Sequence, residues 1–137
     1  MITWLAPVLW LSSAHADTTE AEACLRPKVW EGYAEGWGVR TMTSTEISDG
    51  KTRNYLITLY AGNEYRVQTC SDAGARDLDV LLYSDKGSVV ARDNTVDREP
   101  VVTFTPSETG TYYLVVYHRA AAVPSGKAAV ALAVVYR

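Results

Sequence analysis

The chain has 137 residues, with 13 Lys and Arg against 16 Asp and Glu, a formal charge of −3, and 47% hydrophobic residues. That length suits one domain with a core of its own, which needs neither a metal nor a dense disulfide framework to fold. The charge balance carries no clustered basic face of the kind that nucleic acid or an anionic membrane surface requires, so neither is an expected partner.

The first sixteen residues differ from the rest. Ile2 to Leu11 form an apolar run, and small and polar residues follow, ending in Ala14-His15-Ala16. This is the order of a secretory signal, although no basic residue precedes the run. It is too short to span a bilayer, which takes about 20 apolar residues, and no later segment is apolar enough to do so. The expected division is therefore a signal peptide over 1–16, an N-terminal segment with a short helix over 17–38, and a β-sandwich domain over 39–137. The expected compartment is outside the cytoplasm, periplasmic or extracellular. Two cysteines remain, Cys24 and Cys70. In an oxidising compartment an even count reads as a disulfide.

Asp17 to Ala23 reads as a loose polar stretch. Pro27 suits the first turn of a helix, and Val29, Trp30, Tyr33 and Trp37 follow at helical spacing, predicting a helix over Pro27 to Gly36 whose aromatic stripe joins the core. From Val39 the period changes to two. Strands are predicted over Val39–Ile47, Asn54–Tyr60, Glu64–Cys70, Leu78–Tyr83, Ser88–Arg92, Val101–Thr105, Thr111–Tyr117 and Lys127–Tyr136. Turn signals separate them, among them Ser48-Asp49-Gly50-Lys51 and a hairpin loop at Asp85-Lys86-Gly87. About eight short strands after one helix predict an all-β antiparallel sandwich or jelly roll.

Four strands end in an aliphatic residue followed by tyrosine, at Tyr60, Tyr83, Tyr117 and Tyr136. Tyrosine has an apolar body and a polar tip, so these four suit the sandwich rim or an aromatic platform for a ligand. Counting back from the hairpin loop puts Asp79 opposite Asp93, with Asp77 on the same strand face. Like charges across a ladder destabilise unless something compensates. With Asp97 they form a candidate calcium site, since calcium takes about six to eight oxygens. The competing readings are neutralisation by Arg76, Arg92 and Arg98, or simple turn capping. No cofactor is required. After signal removal His118 is the one remaining histidine and reads as a solvated strand-end residue. No H-E-x-x-H helix or G-x-S-x-G elbow is present, so no hydrolase signature accompanies it.

Within Tyr55 to Tyr117, four stretches form a set: Ala61-Gly62-Asn63-Glu64-Tyr65, then Asp77-Leu78-Asp79-Val80-Leu81-Leu82-Tyr83, then Asp85-Lys86-Gly87 with Val90-Ala91-Arg92-Asp93, then Val102-Thr103-Phe104-Thr105-Pro106 continuing to Thr109-Gly110-Thr111-Tyr112. This set resembles the bacterial pre-peptidase C-terminal family. The resemblance implies a β-sandwich accessory module of the kind attached to secreted peptidases, some of whose members carry calcium. Thr109-Gly110-Thr111-Tyr112 also resembles the tyrosine corner of immunoglobulin-like sandwiches, a second-ranked reading. The function expected is a non-catalytic, exported binding module that engages a protein or a polysaccharide. The alternative is an accessory subunit or inhibitor of a separately encoded secreted hydrolase.

Overall fold

Asp17 opens the one helix among the described residues. Its carboxylate accepts a hydrogen bond from the Glu20 amide at 3.1 Å, as an N-cap should. The computed structural model describes residues 3, 4 and 16–137, and the expected signal segment lies almost wholly outside them. Helix α1 runs over Thr18–Ala34, and the strands are β1 (Gly38–Ser48), β2 (Thr52–Leu59), β3 (Tyr65–Ser71), β4 (Ala75–Ser84), β5 (Val89–Asp93), β6 (Val101–Phe104), β7 (Gly110–Ala121) and β8 (Lys127–Tyr136). They form two four-stranded antiparallel sheets, ordered β1-β8-β3-β6 and β2-β7-β4-β5. The fold is the expected all-β sandwich.

The helix differs from its expectation in three ways. It starts nine residues earlier than Pro27, so Asp17 to Ala23 is the cap and first turns rather than a loose stretch. Pro27 lies inside it. The carbonyl four residues back belongs to Ala23, which is exposed, so water can take the bond that proline cannot supply. The aromatic stripe also points the other way. Trp30 is 66% and Tyr33 64% exposed, whereas Trp37 is buried. What α1 buries instead is aliphatic: Ala21 and Leu25, against Cys70, Ala129, Ala131, Ala133 and Val135.

The last strand explains that choice. In β8 the residues facing α1 are Ala129, Ala131, Ala133 and Val135, while Ala128, Val130, Leu132 and Val134 face the sandwich interior. Strand alternation puts small side chains under the helix and large ones in the main core. The interior is filled from both sheets, by Leu59, Val67, Leu78, Val80, Leu82, Leu114 and Val116 among others. Trp37 closes the end of the helix layer, with the guanidinium groups of Arg66 and Arg137 at 4.3 and 4.5 Å from its ring centre, within cation–π range.

Most turns cross between sheets. The expected turn at Ser48–Lys51 forms, with the Lys51 amide donating to the Ser48 carbonyl at 3.0 Å, but it carries the chain from one sheet to the other. β4 and β5 are the one consecutive pair that shares a ladder. Gly87 takes a φ of 81° in their loop, a left-handed value that favours glycine. The tyrosine corner is present as a bond: the Tyr112 hydroxyl donates to the Glu108 carbonyl at 3.2 Å.

Cys24 on α1 and Cys70 on β3 are joined in a disulfide, with Cα atoms 5.8 Å apart. A crosslink over 46 residues stabilises by roughly 4 kcal/mol on the chain-entropy model. Cys24→Ala with Cys70→Ala should lower the unfolding free energy in denaturant by a comparable amount. An unchanged midpoint would mean the helix is held by apolar contact alone.

A second anchor lies at the helix start. The Asp17 amide donates to Asp72 Oδ2 at 2.7 Å, and Asp72 is 4% exposed. A chain that begins at Asp17 carries an ammonium group at that atom, which turns the bond into a partly buried ion pair. Hydrogen bonds to charged groups contribute about 1.5–3 kcal/mol, so Asp72→Asn in the Asp17-start chain should lower the melting temperature by several degrees, and acetylating that amine, which removes the charge but keeps the N–H, should lower it by less. If Asp72→Asn left it unchanged, the Asp17 nitrogen would not be engaging Asp72.

Candidate functional site

Asp77 and Asp79 lie on β4, one strand-period apart, facing away from the interior that Leu78 and Val80 fill. Both are nevertheless buried, at 5% and 3% exposure. Arg119, from the neighbouring β7, reaches over them, with guanidinium nitrogens 3.9 Å from Asp77 and 3.7 Å from Asp79. Burial, then the negative charge of Asp77, raises the carboxyl pKa of Asp79, and Arg119 offsets only part of this. Asp79 Oδ1 has no hydrogen-bond partner. The compensating cation is therefore Arg119, not Arg76, Arg92 or Arg98. Sequence reasoning missed it because β4 and β7 pair across more than thirty residues of chain.

Asp93 does not sit opposite Asp79. A bulge between Leu82 and Tyr83 shifts the ladder, so that Asp93 pairs with Val80. Its oxygens are already engaged. Oδ1 accepts from the Thr95 amide and hydroxyl at 3.1 and 2.7 Å, and Oδ2 accepts from the Val101 amide at 3.0 Å. Burial opposes ionisation of Asp93, but these hydrogen bonds outweigh it and hold the carboxyl below the usual carboxylate range. Asp97 caps the next turn, accepting from the Glu99 amide at 2.9 Å, while its own amide donates to Asp77 Oδ1 at 3.4 Å.

These positions test the fit of a calcium ion. Among the described residues the one trio of ligand-type side-chain atoms that lie within 4.8 Å of one another is Cys24, Cys70 and Glu99, and those sulfurs are bonded to each other. The four aspartates lie in one neighbourhood but, as arranged, do not fit as the shell of a single ion. Two are covered by an arginine and two close turns.

The four tyrosines divide as well. Tyr60 and Tyr136 line one shallow cleft beside Arg40. Tyr83 and Tyr117 lie on the outer face of the β2-β7-β4-β5 sheet. There Tyr113, which the sequence reading did not single out, pairs with Leu56 on one side and Tyr83 on the other. Leu56 is 68% and Tyr113 45% exposed. The row forms only once the registers of three strands are known, and no single strand announces it.

His118 is a correction. It is fully buried rather than solvated, because β7 continues to Ala121 and alternation turns His118 inward after Tyr112, Leu114 and Val116. Its Nδ1 lies 2.9 Å from the Ile47 carbonyl. No hydrogen bond among the described residues joins it to a nucleophile or an acid.

The raised pKa of Asp79 has a sign. Such a carboxyl favours the folded state when protonated, and that contribution is lost as pH rises from the unfolded value, about 4, through the folded one. Asp79→Asn should therefore stabilise at neutral pH and be neutral near pH 3, in thermal melts with or without calcium. A calcium-dependent rise in the wild-type melting temperature, lost in Asp79→Asn, would show instead that the carboxylates rearrange around an ion.

Among the solved structures that share the fold are two of low sequence identity. One is the periplasmic lysozyme inhibitor of g-type lysozyme, PliG, from Aeromonas hydrophila, at 18% identity and a TM-score of 0.55, covering 71% of this chain and 85% of that one. The other is the pre-peptidase C-terminal domain of a collagenase from Bacillus anthracis, at 17% identity and a TM-score of 0.50, covering 67% and 87%. No curated protein matches the sequence significantly. Residues 49–118, a little over half of the chain, match the family model of the bacterial pre-peptidase C-terminal domain. They carry the aspartate-bearing β4, the β4–β5 hairpin and the tyrosine corner just described, and on that match the chain belongs to the bacterial pre-peptidase C-terminal domain family.

Proposed function

We propose that this chain is an exported, non-catalytic binding module that engages a separately encoded secreted hydrolase, as an inhibitor or accessory subunit. The observation that carries the reading is the asymmetry of the sandwich. One outer face is covered by α1, while the other presents Leu56, Tyr113 and Tyr83 in a row across three strands. Exposed apolar rows with tyrosine at their centre suit protein recognition, because the ring supplies contact area at low entropic cost and the hydroxyl stays wet. The formal charge of −3 favours a cationic partner by steering its approach.

Two further facts support it. A disulfide that joins the helix to the sheet persists in an oxidising compartment. The fold is also that of PliG, a periplasmic inhibitor of g-type lysozyme, which makes that class of enzyme the first partner to try. The expected result is dose-dependent loss of cell-wall lysis when the purified chain is added to a g-type lysozyme. The double variant Leu56→Ala/Tyr113→Ala should bind about tenfold or more weakly with an unchanged melting temperature, in line with about 1–2 kcal/mol or more for an aromatic contact residue. Retention on insoluble peptidoglycan with no effect on the enzyme would favour a polysaccharide partner instead. Binding to neither would remove the reading.

A further inference from the structure

β1 is an edge strand that pairs with β8 alone, and the direction of its free backbone groups follows from the ladder. The Ala129 carbonyl accepts from the Asp72 amide at 3.0 Å, on the β3 side of β8. In the Glu46–Ala129 pair the two residues therefore do not bond each other, and Glu46 directs its amide and carbonyl off the sheet. The Glu46 carbonyl is met there by Arg53 Nη2 at 3.1 Å. Alternation gives Ser44 and Met42 the same outward direction, and no hydrogen bond described outside the ladder reaches their backbone.

This edge has a cavity on each face. On the helix side is an apolar groove of about 470 Å³ lined by Val29, Trp30, Tyr33, Val39 and Met42, with Arg26 at its rim. On the sandwich side β1 and β2 diverge, opening a cleft of about 480 Å³. Its walls include Thr41, Thr43 and Tyr55, its floor is Leu114, Leu132 and Val134, and Arg40 stands at its mouth. The opposite side of the sandwich is closed, since Asp93 on β5 holds the Val101 amide of β6.

We propose that β1 receives an extended segment of a partner protein, added antiparallel as a fifth strand of the β1-β8-β3-β6 sheet. A strand sends alternate side chains to opposite faces, so one set would enter the groove against Trp30 and Tyr33 and the other the cleft, while the main chain bonds the outward groups of Met42 and Ser44. Strand addition takes its affinity from the main chain and its specificity from such pockets. Arg26 and Arg40 form none of the ion pairs among the described residues, so carboxylates flanking the apolar residues complete the match. A second copy of β1 fits less well. On the groove side, beyond Met42, it would present Ser44 and Glu46, a polar and an anionic group against two aromatic rings. This site goes beyond the proposed function and shares no residue with the Tyr113 face except Leu56, which also borders the cleft.

The test uses the blocked peptide acetyl-Glu-Leu-Thr-Leu-Thr-Leu-Thr-Glu-amide, whose leucines suit the groove and whose threonines offer a methyl to the cleft floor and a hydroxyl to its walls, with one glutamate on each face for Arg40 and Arg26. In an amide NMR titration with the disulfide-intact chain, the Met42, Ser44 and Glu46 amides should shift and become protected from exchange, together with a shift of the Trp30 indole. Trp30→Ala, an exposed helical position, should weaken binding about tenfold with no change in melting temperature. Ser44→Pro removes an outward amide that β8 does not use, which an edge strand tolerates, and should abolish binding. Tyr113→Ala should bind the peptide as the wild type does, so loss of hydrolase binding in that variant and loss of peptide binding in Trp30→Ala report on separate sites. No binding at millimolar peptide, or binding that Trp30→Ala and Ser44→Pro both leave unchanged, would overturn the proposal. So would a concentration-dependent dimer of the free chain that Ser44→Pro disperses, since the edge would then belong to a second copy.

Discussion

The packing of α1 on the alanine face of β8 is the contact on which the rest of the molecule depends. A central strand buried on both sides has to satisfy two neighbours at once. β8 does so by giving methyl groups to the helix at Ala129, Ala131 and Ala133, and larger aliphatic groups to the interior at Val130, Leu132 and Val134. Because the helix-facing side chains are short, the helix can lie close, and Ala21, Leu25 and the Cys24–Cys70 bridge fill the space between. Larger residues at those alanine positions would lift the helix and expose the outer face of the sheet.

Covering one face leaves the other to define the surface. Among the described residues no helix lies over the β2-β7-β4-β5 sheet, and its outer residues divide along the strands. One region carries Leu56, Tyr113 and Tyr83. Further along, Asp79 pairs with Tyr117, and Arg119 lies over the two buried carboxylates. A buried like-charged pair under one half-exposed arginine is costly, and the unpartnered Asp79 oxygen is where that cost is visible. Asp93 and Asp97, by contrast, do ordinary structural work, closing turns and satisfying an edge amide that would otherwise be bare.

The sides of the sandwich are equally unlike. At the β5–β6 side a carboxylate spans the gap between the sheets. At the β1–β2 side, among the described residues, Arg53 does so at one end, and the remaining edge is open with a cavity above and below. Edge strands are commonly blunted by charge, bulge or cover. β1 has a bulge at Val39–Thr41, but among the described residues nothing covers its exposed apolar neighbours on α1. Trp30 and Tyr33 belong to the surface because α1 turns Ala21 and Leu25, not its aromatic residues, toward the sheet.

Local pattern was enough to read eight strands, their turns, the cysteine pair and the family, since alternation, glycine-bearing turns and short motifs are written over a few consecutive residues. The family motifs fall within one continuous stretch for the same reason. Everything that depended on which strand lies beside which was decided by tertiary structure. Helical spacing of Val29, Trp30 and Tyr33 marks a helix correctly, though Trp37 lies beyond its end at Ala34, and it cannot say which side is buried, because the receiving face is the alanine row of β8 a hundred residues away. Counting along a hairpin cannot anticipate the bulge that moves Asp93 from Asp79 to Val80. His118 reads as a strand end until β7 is seen to continue through it into the core. Arg119 over Asp77 and Asp79, and Tyr113 between Leu56 and Tyr83, exist only because β7 lies between β2 and β4. Periodicity specifies the face of each element, whereas adjacency is set by how the two sheets and the helix share their apolar surfaces, a property of the whole chain.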